Sequence, residues 1–410
     1  MSVSTFEVAE SGAKQVWTQE NFEKQFYSKD PMLEDVLKLK PEIQIGLEAL
    51  TPVQTGRGGG ITWVPKTGSA ALNAAAPQQV TRAKWEYKRQ WGQIEMDTAA
   101  IERTKDAAKS IMRWLDMEVE GKLSDMRKQL TRTLFGDGTA LIAQCAKEET
   151  ESKTINLLKT GFGYQAIRNG YLPVGQVIDI GSKTEEALKA ADKEILAFKE
   201  SEGTPTLEIA TKIKTAETDY VSLANSRSGE TSYENNGWGN LSSETTELGG
   251  LKPETVPRWA GVVEEAKSTP ITRQKVIKLR RKLRQIGENP DWCFTALAQI
   301  QALENESYTQ VRFPDTQAQN TGDGESIMVG SLKVQGHNDC PDKDFYMSVK
   351  NHVFILRDSA PYWATEKYGG KGLLMYKIGS TYVVGAIEGY LQFATNRRNS
   401  IGRLTELTTP

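Results

Sequence analysis

The chain has 410 residues, of which 38% are hydrophobic and 25% are charged, and its 51 basic and 53 acidic side chains give a formal net charge of −2. This length and composition are typical of a folded protein with a sizeable core and exclude a disordered chain, a collagen-like chain and a small disulfide scaffold. A charge balance so close to zero argues against a dedicated nucleic-acid binder, which usually carries a strongly basic domain. No run approaches the roughly 18 consecutive apolar residues of a membrane helix, so we expect no membrane contact.

Histidine and cysteine, the usual ligands of zinc, are scarce. The two histidines are His337 and His352, and the three cysteines (Cys145, Cys293 and Cys340) are scattered without a Cys-X-X-Cys pair. An odd number of dispersed cysteines indicates free thiols in a reducing compartment. A His-rich or thiolate metal site has too few ligands here, so we predict no metal and no cofactor.

His337, Asn338, Asp339 and Cys340 form the one cluster that invites comparison with a catalytic site. A Cys–His nucleophile requires a thiolate within hydrogen-bond reach of an imidazole. The sequence Asn-Asp-Cys-Pro is more typical of a turn, since Asn and Asp bond to their own backbone and Pro fixes the exit. We predict a turn and no enzyme, with a Cys–His hydrolase as the alternative that a Cys340→Ala variant would test.

The first 50 residues predict an arm with little core of its own. A short amphipathic helix is predicted between Glu20 and Lys40, with Phe22, Phe26 and Tyr27 on it. Because such a segment has little surface to bury within itself, we expect these three aromatic residues to pack on something else.

A long hairpin is predicted next. Ile61–Lys66 is typical of a strand, residues 67–80 form an uncharged tip of small residues, and Arg82–Met96 alternates as a returning strand. The alternation shifts at Gly92, which is typical of a β-bulge. A two-stranded hairpin is marginal alone, so its three tryptophans (Trp63, Trp85 and Trp91) should lie on another surface. Pattern alone leaves open whether that surface belongs to the same chain.

A long helix follows the hairpin, predicted from Ala99 to Phe135 and ended by the glycines at 136 and 138. Apolar residues recur along it at spacings of three and four, as on one face of a helix. These are Ile111, Leu115, Val119, Leu123, Met126, Leu130 and Leu134. One apolar stripe predicts a spine on which a sheet lies.

The rest of the chain mixes short helices and strands to about residue 335, and is rich in strands from about 340 to 407. One helix, predicted over Thr272–Ile286, carries seven basic residues between 273 and 284 and no acidic one. Such a face can bind phosphates. It is more often solvated or paired with acidic residues, and a nucleic-acid-binding packaging protein is therefore kept as an alternative.

Several motifs, in this order along the chain, resemble those of the major capsid proteins of tailed double-stranded DNA bacteriophages, which share the Hong Kong ninety-seven-type fold. The motifs are Leu134–Thr139 at the helix end, Gly237–Asn240 with Pro257–Gly261, Asn289–Trp292 after the basic helix, and Leu332–Val334, Asp339–Pro341, Phe345–Met347 and Val353–Leu356. Each motif is short, but the ordered set covers most of the chain.

The resemblance implies an α+β capsid fold with five segments. Residues 1–54 would be the N-arm, 55–97 the extended loop (E-loop), 98–138 the spine helix of the peripheral domain, 139–345 mostly the axial domain, and 346–410 strands returning mainly to the peripheral domain. The resemblance also implies contacts with an adjacent subunit. These would be made by Trp63, Lys66, Trp85, Tyr87 and Trp91 of the E-loop and by Phe22, Phe26 and Tyr27 of the N-arm, while Ile111, Leu115, Val119, Leu123 and Leu130 form the spine core.

The implied function is self-assembly into hexamers and pentamers of an icosahedral shell that encloses double-stranded DNA without reading its sequence. The implied partners are further copies of the chain, a separate scaffolding protein, a portal protein and a decoration protein. The implied location is the virion capsid, assembled in the host cytoplasm. An encapsulin-like compartment of the same fold is a further alternative. Some relatives cross-link a loop lysine to an asparagine; Lys66 lies in the hairpin, but no spacing identifies a partner, and no cross-link is predicted.

Overall fold

The structure is a computed structural model of the chain. It describes residues 32, 44–45, 48–56, 58–64, 66, 71, 73–97, 108–158, 166, 169–183, 188–201, 204–229, 231–310, 326–357, 361–364, 375–376 and 381–408. None of the helices within these ranges combines the length and the apolar character needed to span a bilayer.

The chain divides into two compact units, each assembled from separated stretches of sequence. The first comprises Met1–Lys38, Tyr87–Gly237 and Ile355–Phe393, and the second comprises Leu39–Glu86, Trp238–Phe354 and Ala394–Pro410. These borders differ from the predicted segment borders at 138 and 345. The five predicted segments therefore stay a proposal about the chain's roles in a shell.

In the first unit, the predicted spine helix is present as α1, Ala108–Phe135, and ends directly before Gly136, as predicted. The first part of the prediction, residues 99–107, lies outside the described residues. Strand β4, Lys88–Asp97, packs on it. The Gln90 side chain donates a hydrogen bond of 2.6 Å to the carbonyl of Met126. A side chain in place of Gly92 would collide with Met126, so this glycine permits the close approach of strand and helix.

Two larger sheets and one two-stranded pair, Arg227–Ser228 with Thr231–Ser232, complete the described part of the first unit. The larger is antiparallel, with strand order β5-β10-β7-β8-β9-β6. In the other, β4 and three further strands pair with the long strand β21. The bounds are β5 Ala143–Gln144, β6 Ser152–Asn156, β7 Val177–Ser182, β8 Ala190–Ser201, β9 Thr204–Ile213, β10 Asp219–Leu223, β11 Arg227–Ser228, β12 Thr231–Ser232, β18 Val353–Arg357, β19 Tyr362–Trp363, β20 Met375–Tyr376 and β21 Tyr382–Thr395.

The second unit is built on a mixed six-stranded sheet of order β13-β22-β17-β14-β16-β15. Its bounds are β13 Val262–Thr269, β14 Trp292–Thr295, β15 Ser326–Val329, β16 Leu332–Gly336, β17 Phe345–Ser348 and β22 Gly402–Leu407, with helices α2 Trp238–Leu241, α3 Arg273–Gln285 and α4 Leu297–Gln310, and short 3-10 turns at Pro257–Trp259, Lys350–His352 and Arg398–Ser400.

Helix α3 confirms the predicted basic helix and shows why it forms. The Thr272 side chain caps its first turn by accepting a hydrogen bond from the Lys275 backbone N–H. Val276, Leu279 and Leu283 are fully buried in the core of the second unit. The apolar stripe of α3 therefore packs on the sheet, and the basic residues occupy the rest of its surface.

The hairpin differs from its prediction in length and in pairing. It consists of β2, Glu48–Gly56, paired with β3, Gln79–Glu86, and β1, Gln44–Ile45, lies beside β2. Ile61–Val64 is not a strand. The predicted return limb is two strands separated at Tyr87: β3 pairs with β2, and β4 pairs with β21.

The predicted bulge at Gly92 is also wrong, because Gly92 pairs regularly with Ile387. The buried positions change from Ala83 and Trp85 to Gly92 and Ile94. This change of parity takes place at the break between β3 and β4, where the chain exchanges one partner strand for another.

Candidate assembly surfaces

Trp85 is covered by its own chain. Only 2% of its surface is exposed, its indole N–H donates to the Thr51 hydroxyl at 2.7 Å, and its ring lies 6.2 Å from that of Trp259. The Lys84 backbone beside it donates to the Gly249 carbonyl at 3.0 Å. Almost no surface of the Trp85 side chain is therefore left to contact an adjacent subunit, contrary to the expectation.

Trp63 is the opposite case, because 97% of its surface is exposed. Ile61 is 82% exposed and Val64 is 53% exposed beside it, and Lys66 is exposed as well. Such a concentration of uncovered apolar side chains on a short segment is typical of a surface that contacts another molecule.

The backbone of the tip explains why these side chains point away from it. A side chain at Gly58 would collide with the Ala76 carbonyl, and one at Gly60, whose φ is +96°, would touch Ala75. The Asn73 side chain donates to the Ile61 carbonyl at 3.0 Å, which ties the two limbs together. Where the structure describes them, the limbs approach each other closely through glycine and alanine, and these residues form no interior in which Trp63 could be buried.

Trp91 lies in β4 and is 46% exposed, with the Arg89 guanidinium 4.4 Å from the centre of its ring. Arg89 also pairs at 2.6 Å with Glu388, whose side chain is fully buried. The ion pair holds Arg89 over the ring, which leaves part of the indole available for contact. Tyr87, at the break between β3 and β4, is half-buried.

Three of the five predicted spine-core residues are buried in the first unit: Val119, Leu123 and Leu130. The side chains of Ile111 and Leu115 lie outside the described residues. So do the predicted N-arm contacts Phe22, Phe26 and Tyr27.

Acidic and polar residues of the same chain engage part of the basic face of α3. Lys278 and Lys282 both bind the carboxylate of Glu264. These two hydrogen bonds hold the pKa of Glu264 below its ordinary value of 4.5. Arg284 donates to the Asn289 side chain at 3.0 Å. Less positive charge is therefore free on α3 than its sequence suggests.

The segment from His337 to Cys340 is a turn, in which the Cys340 N–H donates to the His337 carbonyl at 3.2 Å. The imidazole Nδ1 accepts the Asp339 N–H at 3.1 Å. Cys340 is fully buried, and burial raises its pKa well above the ordinary value of 9.0. A buried, protonated thiol is a poor nucleophile, so the geometry disfavours the hydrolase alternative.

The other two cysteines have the same character, since burial raises the pKa of both Cys145 and Cys293 to about 12. All three cysteines are buried, and among the described residues none of them forms a disulfide. Within the described residues, no three His, Cys, Asp or Glu side chains come together as metal ligands would.

Arg398 is a buried residue that the sequence analysis missed. Its guanidinium donates to the backbone carbonyls of Asn240, Leu241 and Thr246 at 2.6–2.9 Å. Burial lowers its pKa to about 10, still far above neutral pH, so it stays charged. It holds the loop that follows the Gly237–Asn240 motif, and no local pattern in the sequence distinguishes it from a surface arginine.

The sequence matches no protein-family model and no curated protein. Among solved structures, the fold resembles that of the cyanophage A-1(L) capsid asymmetric unit, with a TM-score of 0.52 and 11% identity over 92% of this chain and 93% of that one. It also resembles the capsid of the native GTA particle, with a TM-score of 0.50 and 10% identity over 92% of this chain and 90% of that one.

At identities this low, the likeness is one of fold. It extends over nearly the whole length of both chains in each comparison. The elements present agree with it: a long helix, a hairpin before it, and strands late in the sequence that share a sheet with β4. The chain therefore has the α+β fold of phage capsid proteins, the Hong Kong ninety-seven-type fold that the sequence motifs resemble.

Proposed function

We propose that this protein is the major capsid protein of a tailed phage, a structural protein that assembles into hexamers and pentamers of an icosahedral shell around double-stranded DNA. The observation that carries the proposal is the capsid fold over 92% of the chain. A shell protein needs no catalytic group. The burial of Cys145, Cys293 and Cys340, which keeps their thiols protonated, agrees with this.

The hairpin tip supports self-assembly as the specific activity. The proposed contact with an adjacent subunit consists of Trp63 and Lys66 at the tip, Trp91 in β4, and Tyr87 directly before β4. Trp63 is the most exposed of the described tryptophans, and aromatic residues that become buried on association often contribute about 2 kcal/mol or more each. Trp85 is left out of the contact because it is buried already.

The remaining roles are part of the same proposal. Residues 1–54 act as an N-arm on a neighbour, through Phe22, Phe26 and Tyr27, and 55–97 as the E-loop. Residues 98–138 provide the spine, 139–345 most of the axial domain, and 346–410 the returning strands. A scaffolding protein, a portal protein and a decoration protein complete the shell, which forms in the host cytoplasm and becomes the virion capsid.

The experiment is to express the chain with and without the products of neighbouring genes and to image the purified particles. We expect closed shells of uniform diameter, with sedimentation far faster than that of a 45.5 kDa monomer. A monomer under every condition would contradict the proposal. Nucleic acid inside the particles favours the phage capsid, and enclosed cellular protein favours the encapsulin-like alternative.

A matched pair of variants tests the proposed contact. Trp63→Ala should leave a folded chain that forms few or no shells, because the anchor of each copy is lost at every repeat of the contact. The control is Met328→Ala, which removes another exposed apolar side chain, 38% exposed, from the second unit. If Trp63→Ala assembled normally, Trp63 would not be part of the contact between subunits. The shell proposal itself is tested by the imaging experiment.

A further inference from the structure

The second unit contains a polar cavity of about 280 Å³ that the shell proposal does not use. Its lining comes from β2, from the turns at Pro257–Trp259 and Lys350–His352, from the residues after α3, and from the segment before β22. The charged and polar side chains among the lining are Gln54, Arg258, Glu288, His352, Asn396, Arg397 and Asn399. The volume corresponds to roughly nine water molecules at about 30 Å³ each.

The charges around this cavity do not balance. Arg397 pairs with Glu288 at 3.0 Å, so these two charges neutralise each other. Arg258 has one partner among the described residues, the neutral side chain of Gln54 at 3.4 Å. With His352 uncharged at neutral pH, the lining has an excess of one positive charge, and that charge is half-buried.

Within the part of the chain that the structure describes, three buried polar atoms at the cavity have no hydrogen-bond partner: Nδ1 of His352, which lies 3.7 Å from a carboxylate oxygen of Glu288, Oδ1 of Asn396 and Oδ1 of Asn399. Asn399 is 92% buried, since only 8% of its surface is exposed. Buried polar atoms are nearly always paired in folded proteins, so these three indicate that something polar occupies the space. An amide side chain presents either its oxygen or its nitrogen after a rotation of 180°, so both asparagines suit a ligand with acceptors and a hydroxyl donor.

We propose that this cavity binds one small oxyanion of the phosphate class. Arg258 would supply the charge-assisted hydrogen bonds that its guanidinium does not make with any described residue. The free N–H groups of Arg397 would add to them, since only its Nη1 contacts Glu288. Asn396 and Asn399 would accept from a phosphate hydroxyl or donate to the phosphate oxygens. Water alone would satisfy the asparagines but would leave the half-buried charge of Arg258 without a counterion.

The test is a calorimetric titration of the purified chain with inorganic phosphate. Chloride is adjusted to hold the ionic strength constant. We expect saturable binding to one site per chain. Arg258→Gln should weaken it about tenfold or more, because a hydrogen bond to a charged group is lost. The control is Arg281→Gln, which removes an exposed arginine of α3 that does not line the cavity. Absence of saturable binding, or equal loss in the two variants, would overturn the proposal.

A second variant keeps the test decisive if Arg258→Gln loses its fold. Glu288→Gln removes the one carboxylate among the described lining residues, so phosphate should bind more tightly rather than less. Weaker binding in a folded Glu288→Gln variant would contradict an anion site. A short DNA duplex added in competition distinguishes the sources: displacement of phosphate identifies the nucleic-acid backbone as the ligand, and no displacement identifies the free ion.

This inference does not depend on the shell proposal. Sedimentation measures shell formation, and calorimetry measures phosphate binding. A chain that forms shells without binding phosphate therefore refutes only the proposed anion site. A chain that binds phosphate without forming shells refutes only the proposed function.

Discussion

Trp63 and Trp85 belong to one hairpin, but their surroundings predict different responses to truncation. Trp85 fills a buried site between Thr51 and Trp259, so Trp85→Ala should lower the free energy of unfolding by about 3–5 kcal/mol. Trp63 is 97% exposed, so Trp63→Ala should change it by about 0.5 kcal/mol or less. Denaturant unfolding of the unassembled chain measures both values. A large loss for Trp63→Ala would mean that the tip packs on its own chain.

The contrast between the two tryptophans also shows what alternation in the sequence can and cannot predict. Alternation of residues identifies the face of a strand that is covered, which is why Trp85 was predicted to lie against a surface. It does not say whose atoms cover it. Trp259, which packs on Trp85, is 174 residues further along the chain, and no local pattern connects the two.

His352 predicts a pH dependence of stability. Burial is the main cause that lowers its pKa below 6.5, and the nearby Arg397 acts in the same direction, while Glu288 and Asp291 oppose them. In acid the unfolded chain therefore binds a proton on His352 before the folded chain does. The free energy of unfolding should fall as the pH drops below about 6.5, and this contribution should level off below the folded pKa.

Denaturation of His352→Gln measured from about pH 7.5 to 5 checks this prediction, because the ordinary pKa values of carboxyl groups lie lower. The variant should lose stability less steeply over this range than the unchanged chain. His337→Gln is the control, since it replaces the other histidine. An identical pH dependence in the unchanged chain and His352→Gln would contradict the prediction.

At the scale of the elements, the C-terminal end of helix α1 is in close contact with Gly237, where the chain passes beside it about 100 residues later. A side chain at Gly237 would lie 2.3 Å from the Thr133 carbonyl and 2.4 Å from that of Gly136. Backbone atoms cannot move aside as a flexible side chain does. Gly237→Ala should therefore lower the free energy of unfolding by about 1–3 kcal/mol, as overpacked sites do, in thermal or denaturant unfolding.

Gly121 provides the same substitution with the opposite expectation. It lies within α1, is exposed, and has no atom within 4 Å of where a side chain would begin. Gly121→Ala should stabilise the chain by about 0.5–1 kcal/mol, because alanine loses less backbone entropy in a helix. If both substitutions shifted stability in the same direction, the close approach at Gly237 would not be the cause.

Elements whose signals are local could be predicted, and those that depend on distant partners could not. The stripes of α1 and α3 and the glycines after α1 lie within a few turns of helix, so their sequence suffices. Strand β4 pairs with β21, whose residues are nearly 300 positions away. The change of partner at Tyr87 therefore looked like a bulge at Gly92, because both produce the same shift of parity.

At the scale of the whole molecule, each compact unit takes residues from three separate stretches of the chain. Ordered motifs predicted the fold class, since each motif marks a local turn or strand. Contiguous segments could not predict the units, because Leu39–Glu86 and Ala394–Pro410 join the second unit from opposite ends of the sequence. The polar cavity was equally hidden, as its lining spans residues 52 to 399.

The net charge of the whole chain is close to zero, so a nucleic-acid-binding function would depend on the basic residues of α3. Glu264 already binds Lys278 and Lys282, while Lys275 donates to the Pro270 carbonyl and Arg280 to the Ser331 hydroxyl. The remaining arginines of the helix, Arg273, Arg281 and Arg284, therefore test whether α3 binds phosphates. In a DNA binder, loss of three phosphate contacts would reduce the salt dependence of affinity by about 2.7 in the slope of log K against log salt. For a shell protein we expect no such change on replacing the three arginines with glutamine, and shells should still form. Duplex binding at several salt concentrations measures the slope. Glu264→Gln frees both lysines, so tighter DNA binding by that variant, together with a reduced slope for the triple variant, would favour the packaging alternative.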